Sequence, residues 1–222
     1  MKRIVTLAIA ATMMLSASAQ KIKVKQSTEN IGGGSHNALV VTLYGISPSD
    51  AEESFRSFMK KYDGKRSSKN GEVFVDHCKI SDISNNTIDV YGKAVGKKGD
   101  PEITFVVGFD LGGAFMNSKD HGAQYDVAEK IVKEFAVKAT KDAIEEQLKD
   151  AQKVQSKLED DQKGLEKDNK GLNDDIEDYK KKIKKAEDDI VKNKSDQDKK
   201  KAEIEAQKKV VEDIDKKLKS VE

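Results

Sequence analysis

Apolar residues in the C-terminal part of this chain recur at alternating intervals of three and four residues. The register holds without a break over residues 148–221. A sustained heptad pattern, with charged residues beside the apolar a and d positions, predicts a coiled coil. The apolar positions that we expect to form the interface between helices, called the seam below, are Leu158, Leu165, Leu172, Ile176, Tyr179, Ile183, Ile190, Ile204, Val211, Ile214 and Leu218.

The charges that flank the seam predict how two helices are oriented. In a parallel pair, each g position faces the e position of the next heptad on the partner. Such pairs are worth only about 0.3–0.5 kcal/mol each, so they select a register more than they drive association. One upstream pair, Asp161 with Glu166, is like-charged, but five other g–e pairs are opposite in charge and favour a parallel homo-oligomer. Five pairs are opposite in charge: Asp175 with Lys180, Lys182 with Glu187, Asp189 with Lys194, Asp196 with Lys201, and Glu203 with Lys208.

Polar residues interrupt the seam, so the sequence does not fix how many helices associate or whether the helix folds back on itself. Asn169 at an a position favours a dimer, whereas glutamines at other a positions are compatible with a trimer. Asn193, Gln197 and Lys200 form a polar gap between two apolar clusters. Two alternatives use the same residues: a helical hairpin that turns at 194–198, and a single solvated helix held by pairs of charges one turn apart.

Before the seam, the apolar positions form a wider stripe at helical spacing. A wide stripe is typical of a helix that packs on a globular core. We therefore predict one long helix over residues 123–222, docked on a globular domain to about residue 140. The residues that make up the stripe are Val127, Ala128, Ile131, Val132, Phe135, Ala136 and Ala139.

Residues 20–122 contain short runs of β-branched and alternating residues, which predict strands. Ser47 or Ser49 is expected to cap a helix that ends at Asp63-Gly64. The order ββαβββ predicts an α+β fold, a small, mostly antiparallel sheet with helix packing, followed by the long C-terminal helix. The last strand is the most hydrophobic, so we place it centrally. The predicted strands span residues 21–28, 38–44, 72–80, 87–95 and 102–111.

The first 19 residues have the pattern of a signal peptide. A basic start, an apolar run over residues 4–15 and Ala17-Ser18-Ala19 predict cleavage before Gln20. The apolar run is too short for a stable membrane anchor, the alternative to cleavage. We expect an exported protein, periplasmic or secreted, that does not span a membrane after cleavage.

Composition argues against partners that are recognised by charge. The 41 Lys and Arg residues nearly balance the 40 Asp and Glu residues, for a net charge of +1. Because no long-range field of one sign results, we expect no nucleic-acid partner.

Candidate chemistry is sparse. Asp76-His77-Cys78 resembles a set of metal ligands, but residues in a regular strand alternate between faces, so only Asp76 and Cys78 would share one. Cys78, the only cysteine, is expected to be a buried small hydrophobic residue rather than part of an intermolecular disulfide. Gly32-Gly33-Gly34 lacks the lysine and the following helix of a phosphate loop. We expect no catalytic, metal or cofactor site, and no enzyme.

The whole chain resembles a group of uncharacterised exported proteins of Gram-negative bacteria. The resemblance lies in Ser16-Ala17-Ser18-Ala19-Gln20, in Glu29-Asn30-Ile31-Gly32-Gly33-Gly34, in Phe109-Asp110-Leu111-Gly112-Gly113-Ala114 and in the Lys/Glu-rich coiled coil. It implies export and no particular activity. A looser resemblance is to periplasmic holdase chaperones with helical arms.

These patterns together predict a non-enzymatic exported envelope protein. It would self-associate through a parallel C-terminal coiled coil and present an α+β binding head, for which another envelope protein is one candidate partner. The alternative is a periplasmic holdase-type chaperone or a coiled-coil activator of a cell-wall hydrolase.

Overall fold

A computed structural model describes residues 21–220. The expected signal peptide and the last seam-register position, Val221, lie outside the described residues. The elements are β1 (Val24–Ile31), β2 (Gly34–Tyr44), α1 (Pro48–Phe58) with a 3-10 turn (Met59–Tyr62), β3 (Lys65–Lys69), β4 (Glu72–Cys78), β5 (Ile88–Val95), β6 (Glu102–Asp110) and α2 (Gly122–Lys219).

The six strands form one antiparallel sheet in the order β1-β2-β6-β5-β4-β3. The most hydrophobic strand, β6, lies between β2 and β5, as its sequence predicts. The α+β class, the antiparallel pairing and the long C-terminal helix are confirmed.

The sixth strand, β3, was not predicted. Its sequence, Lys65-Arg66-Ser67-Ser68-Lys69, has no apolar alternation because β3 is an edge strand with mostly exposed side chains. It pairs with β4 through a tight hairpin turn at Asn70-Gly71, whose φ angles are +54° and +79°. Asn-Gly is a strong hairpin signal because both residues tolerate positive φ. That dipeptide, rather than hydrophobicity, marks this strand in the sequence.

Helix α1 begins and ends where local chemistry requires it. Ser47 is the N-cap, and its Oγ accepts a hydrogen bond from the Asp50 backbone N–H at 3.3 Å. Pro48 follows in the first turn, where its missing N–H costs nothing. The chain leaves the helical region at Asp63, which has a φ of +59°.

The main core lies between one face of the sheet and the two helices. Phe55 of α1, Phe105 of β6 and Phe135 of α2 meet there, with ring centroids 4.9–5.1 Å apart. All three are at most 1% exposed. Gly92 of β5 lies under the Phe55 ring, where an added Cβ would overlap it. The sheet and α1 are therefore held together by aromatic packing that requires the first turns of α2.

The opposite face of the sheet carries a smaller apolar cluster. Tyr91 and Val106 are buried there, and Phe115 folds back over the face after β6. The Phe115 ring stacks on His36 with centroids 3.9 Å apart and planes 7° from parallel. Beside them, the nearly buried Glu72 accepts a hydrogen bond at 2.9 Å from the Gly32 N–H, which ties β4 to the β1–β2 turn.

Contacts divide the chain into two compact units at Ala151/Gln152. The first unit, called the head below, contains the sheet, α1 and the first turns of α2. The buried residues of α2 all belong to it, from Tyr125 to Thr140. The second contains the rest of α2, which stays helical through residues 194–198, where the hairpin alternative would turn. Within residues 21–220, neither helix is long and apolar enough to cross a membrane.

Candidate functional site

All eleven seam residues lie in the second unit, and the structure leaves all of them exposed. Their exposed fractions range from 48% for Ile204 to 69% for Leu165 and Leu218. Every described residue from Gln152 onwards is exposed. The helix therefore presents clusters of apolar side chains along one face, separated by polar positions, and nothing within the second unit covers them.

The charged residues beside the seam pair along their own helix. Glu203 accepts from Lys200 at 2.6 Å, and Glu205 from Lys208 at 2.8 Å. These pairs are exposed, so each is worth only a few tenths of a kcal/mol, roughly, and can be exchanged for pairs to another helix. In the polar gap, Gln197 donates to the Asn193 side-chain oxygen.

A second candidate site lies in the head, at an irregularity in β4. The pairing of β4 with β5 shifts between Val75 and Cys78, so Asp76 and His77 together lie opposite Asp89. This is a β-bulge, which inserts one extra residue into a strand. His77 takes a φ of +57° there. As a result, ligand atoms of Asp76, His77 and Asp89 lie within 4.8 Å of one another.

The bulge corrects one step of the sequence argument. Regular alternation would place Asp76 and Cys78 on the same face, but the extra residue breaks that alternation. Cys78 is fully buried in the main core, as predicted for a small hydrophobic residue, whereas the Asp76 side chain is about one-third exposed. Burial, with smaller contributions from Asp89 and Asp76, raises the pKa of the Cys78 thiol to about 12. This thiol is therefore protonated and unreactive near neutral pH.

Grooves also run beside the helices of the head. One between α1 and α2 is lined by Asp50, Ser54, Asp142 and Glu146, among others. Asp142 is engaged by Lys138 at 2.8 Å, and Asp50 by the Ser47 hydroxyl at 2.5 Å. The groove is therefore an acidic surface whose carboxylates are held by local hydrogen bonds and ion pairs.

Sequence reasoning identified the seam but missed Asp89. No sequence signal marks a bulge at residues 76–77, and without it Asp89 is one of many acidic residues beside a predicted strand. Histidine at position 77 is a weak clue, because His is among the non-glycine residues enriched at positive φ.

Comparison with known proteins provides no relative for this chain. No protein-family model, curated protein or solved structure matches it. Function has to be inferred from the residues and their geometry.

Proposed function

We propose that this chain is a non-enzymatic exported protein that self-associates in parallel through the seam and presents its head as a binding module. One observation carries the proposal: the apolar residues at a and d in the second unit are about half or more exposed in the single chain. Contiguous exposed apolar surface of this kind marks a site of protein association. A second copy of the same helix would cover it.

Charge favours a second copy in parallel register. The five opposite-charge g–e pairs occur only when the two helices run in the same direction without a shift. Parallel association would gather two or three heads, and binding of a multivalent target would then gain avidity without any new contact. Export is the part of this proposal that rests on residues 1–19 alone.

Two adjacent residues provide a matched test of the seam. Ile190 and Val191 are 60% and 68% exposed, but only Ile190 lies on the seam. Burying an Ile is worth about 1.5–3 kcal/mol, and a dimer buries two. Ile190→Lys should therefore weaken dimerisation about 100-fold or more, since about 1.4 kcal/mol is tenfold. Sedimentation equilibrium over a range of concentrations measures the constant.

Val191→Lys is the control for that experiment. It introduces the same charge one residue away, at a b position that faces solvent in a coiled coil, so association should stay within about twofold of the unmodified chain. An unmodified chain that is monomeric at about 100 µM, or equal effects of both substitutions, would rule out the parallel seam.

The same exposed row favours a second candidate, a holdase that captures unfolded chains on apolar surface. A holdase should suppress aggregation of an unfolded outer-membrane protein in proportion to its exposed seam. Ile190→Lys should then reduce that protection, whereas a self-associating protein would show little protection to begin with. An activator of a cell-wall hydrolase would instead increase peptidoglycan cleavage by its partner enzyme.

A further inference from the structure

The β-bulge in β4 places a histidine and two aspartates from two neighbouring strands at one point on the surface of the head. The imidazole belongs to His77, and the carboxylates belong to Asp76 on the same strand and Asp89 on β5. All three are accessible: His77 is exposed, and both aspartates are partly exposed. The set is therefore reachable by an ion from solvent.

The positions of these groups are fixed by the backbone as well as by the side chains. The His77 N–H donates to Asp89 Oδ1 at 2.9 Å, and the imidazole Nδ1 contacts Asp76 Oδ1. Each aspartate keeps a second carboxylate oxygen, and the His77 Nε2 is also available to a ligand. Two atoms that bind one ion at the ordinary distance of about 2.0–2.2 Å are at most about 4.4 Å apart. Because the ligand atoms here lie within 4.8 Å of one another, small side-chain rotations are enough to bring them around a single ion.

Negative charge accumulates around this point, and the nearest basic residue in the sheet pairing, Lys65, forms no ion pair with it. Asp110 of β6 lies directly opposite Asp89, and like charges directly opposite destabilise a sheet. Lys65 lies opposite Asp76 in the β3–β4 ladder. However, among residues 21–220 no Lys or Arg forms an ion pair with Asp76, Asp89 or Asp110.

We propose that Asp76, His77 and Asp89 form a binding site for a divalent transition-metal ion, best matched by Zn²⁺. One imidazole nitrogen and two carboxylates are the ligand types that Zn²⁺ and Mn²⁺ share, whereas a purely carboxylate site would suit Ca²⁺ or Mg²⁺. Three protein ligands leave at least one position for water or for a group of another molecule. Asp110 adds negative charge beside the site without being a ligand.

The site can be tested by titrating the full, tag-free chain with Zn²⁺ in an isothermal calorimeter at about 0.15 M salt. We expect one Zn²⁺ per chain in a site that 1 mM Ca²⁺ does not block. His77→Asn and Asp89→Asn should each weaken binding at least tenfold. Both variants preserve the bulge, because Asn tolerates positive φ at residue 77 and the amide oxygen introduced at position 89 would still accept the backbone hydrogen bond.

Matched substitutions elsewhere in the head separate a site from weak binding to scattered carboxylates. His121→Asn and Asp82→Asn remove the same two kinds of group outside the cluster, and both should bind Zn²⁺ like the unmodified chain. Mn²⁺ gives an independent readout, since it should broaden the His77 imidazole proton resonances and spare those of His121. Circular dichroism without metal should show the same thermal midpoint for all four variants to within a few degrees.

The proposal fails if no stoichiometric Zn²⁺ binding is seen, or if His77→Asn and Asp89→Asn bind as tightly as the two controls. The contact between His77 Nδ1 and Asp76 Oδ1 would then be an ordinary hydrogen bond. Binding that 1 mM Ca²⁺ abolishes would also overturn it, because the imidazole would then contribute nothing to selectivity. None of these outcomes depends on the oligomeric state of the chain.

Discussion

The two units of this chain differ in how far their apolar side chains are buried. In the head, Phe55, Phe105 and Phe135 are buried against one another within a single chain. In the second unit, seam residues such as Leu165 and Ile183 stay mostly exposed. Because burial of apolar surface is the main source of stability, the head has a core of its own to stabilise it, whereas the second unit depends on its own helix propensity or on another molecule. The comparison separates the residues that are buried within the chain from the exposed residues that we propose associate it with a second copy.

The largest effect should come from the head core. Phe135→Ala removes a ring that contacts Phe55, Phe58 and Phe105, and it should lower the free energy of unfolding of the head by about 3–5 kcal/mol. Leu172→Ala in the second unit should change that quantity by less than about 0.5 kcal/mol. Urea unfolding followed by near-ultraviolet circular dichroism of the tyrosines measures both.

The view that seam residues do not stabilise the head would be wrong if Leu172→Ala lowered the stability of the head as much as Phe135→Ala does. That result would mean that the two units unfold as one cooperative system, and that the seam also contributes to folding.

The dependence of stability on pH tests whether solvent is excluded from Cys78 in the core of the head. The folded-state pKa of Cys78 is raised from 9.0 to about 12, so the folded state favours the protonated thiol. Its contribution to stability is complete below pH 9 and is lost as pH rises from 9 towards 12, because the unfolded chain ionises first. At pH 10 the loss should be roughly 1 kcal/mol relative to pH 8.

Cys78→Ala is the control for that experiment, since it lacks the thiol and should lose less stability over the same interval. Burial also raises the pKa values of three tyrosines, Tyr62, Tyr91 and Tyr125. Both proteins contain these tyrosines, so their contributions to the pH dependence cancel in the comparison. A thiol that reacts with a disulfide reagent at pH 8 as fast as an unfolded peptide would show that solvent reaches this core.

The smallest effect should come from the charges beside the seam. Lys182→Glu would replace two attractive contacts with Glu187 by two repulsive ones in a parallel dimer, weakening association by about 1 kcal/mol. The double variant Lys182→Glu with Glu187→Lys should restore it. In sedimentation equilibrium, failure of the second change to restore association would argue for an antiparallel pair or for a different partner.

Much of the fold follows from sequence because two simple periods dominate. Runs of β-branched or alternating residues identified β2, β4, β5 and β6 to within a few residues, and helical spacing identified the buried stripe from Ala128 to Ala139. Edge strand β3 was missed because its polar residues face water, so its sequence has no alternation of apolar and polar residues. The strand boundaries at β1 also shifted, since its mostly polar residues are arranged by pairing with β2.

The candidate sites differ in how far sequence can predict them. The seam is a property of one helix, so its positions can be read from the chain, although its partner cannot. The Asp76–His77–Asp89 cluster depends on a one-residue slip between two strands. The residues on either side of the slip, Val75 and Cys78, are both buried in the core, so the slip is tied to tertiary packing. Local sequence carries little information about it.

The position of Phe135 in the chain has a consequence for the order of events during synthesis. All six strands and α1 are made before the first turns of α2. Until residues up to Thr140 have been added, one face of the sheet has no α2 side chains to cover it. The chain therefore cannot close its core early, and it stays incompletely folded while most of it passes through the ribosome, a form that suits the proposed export.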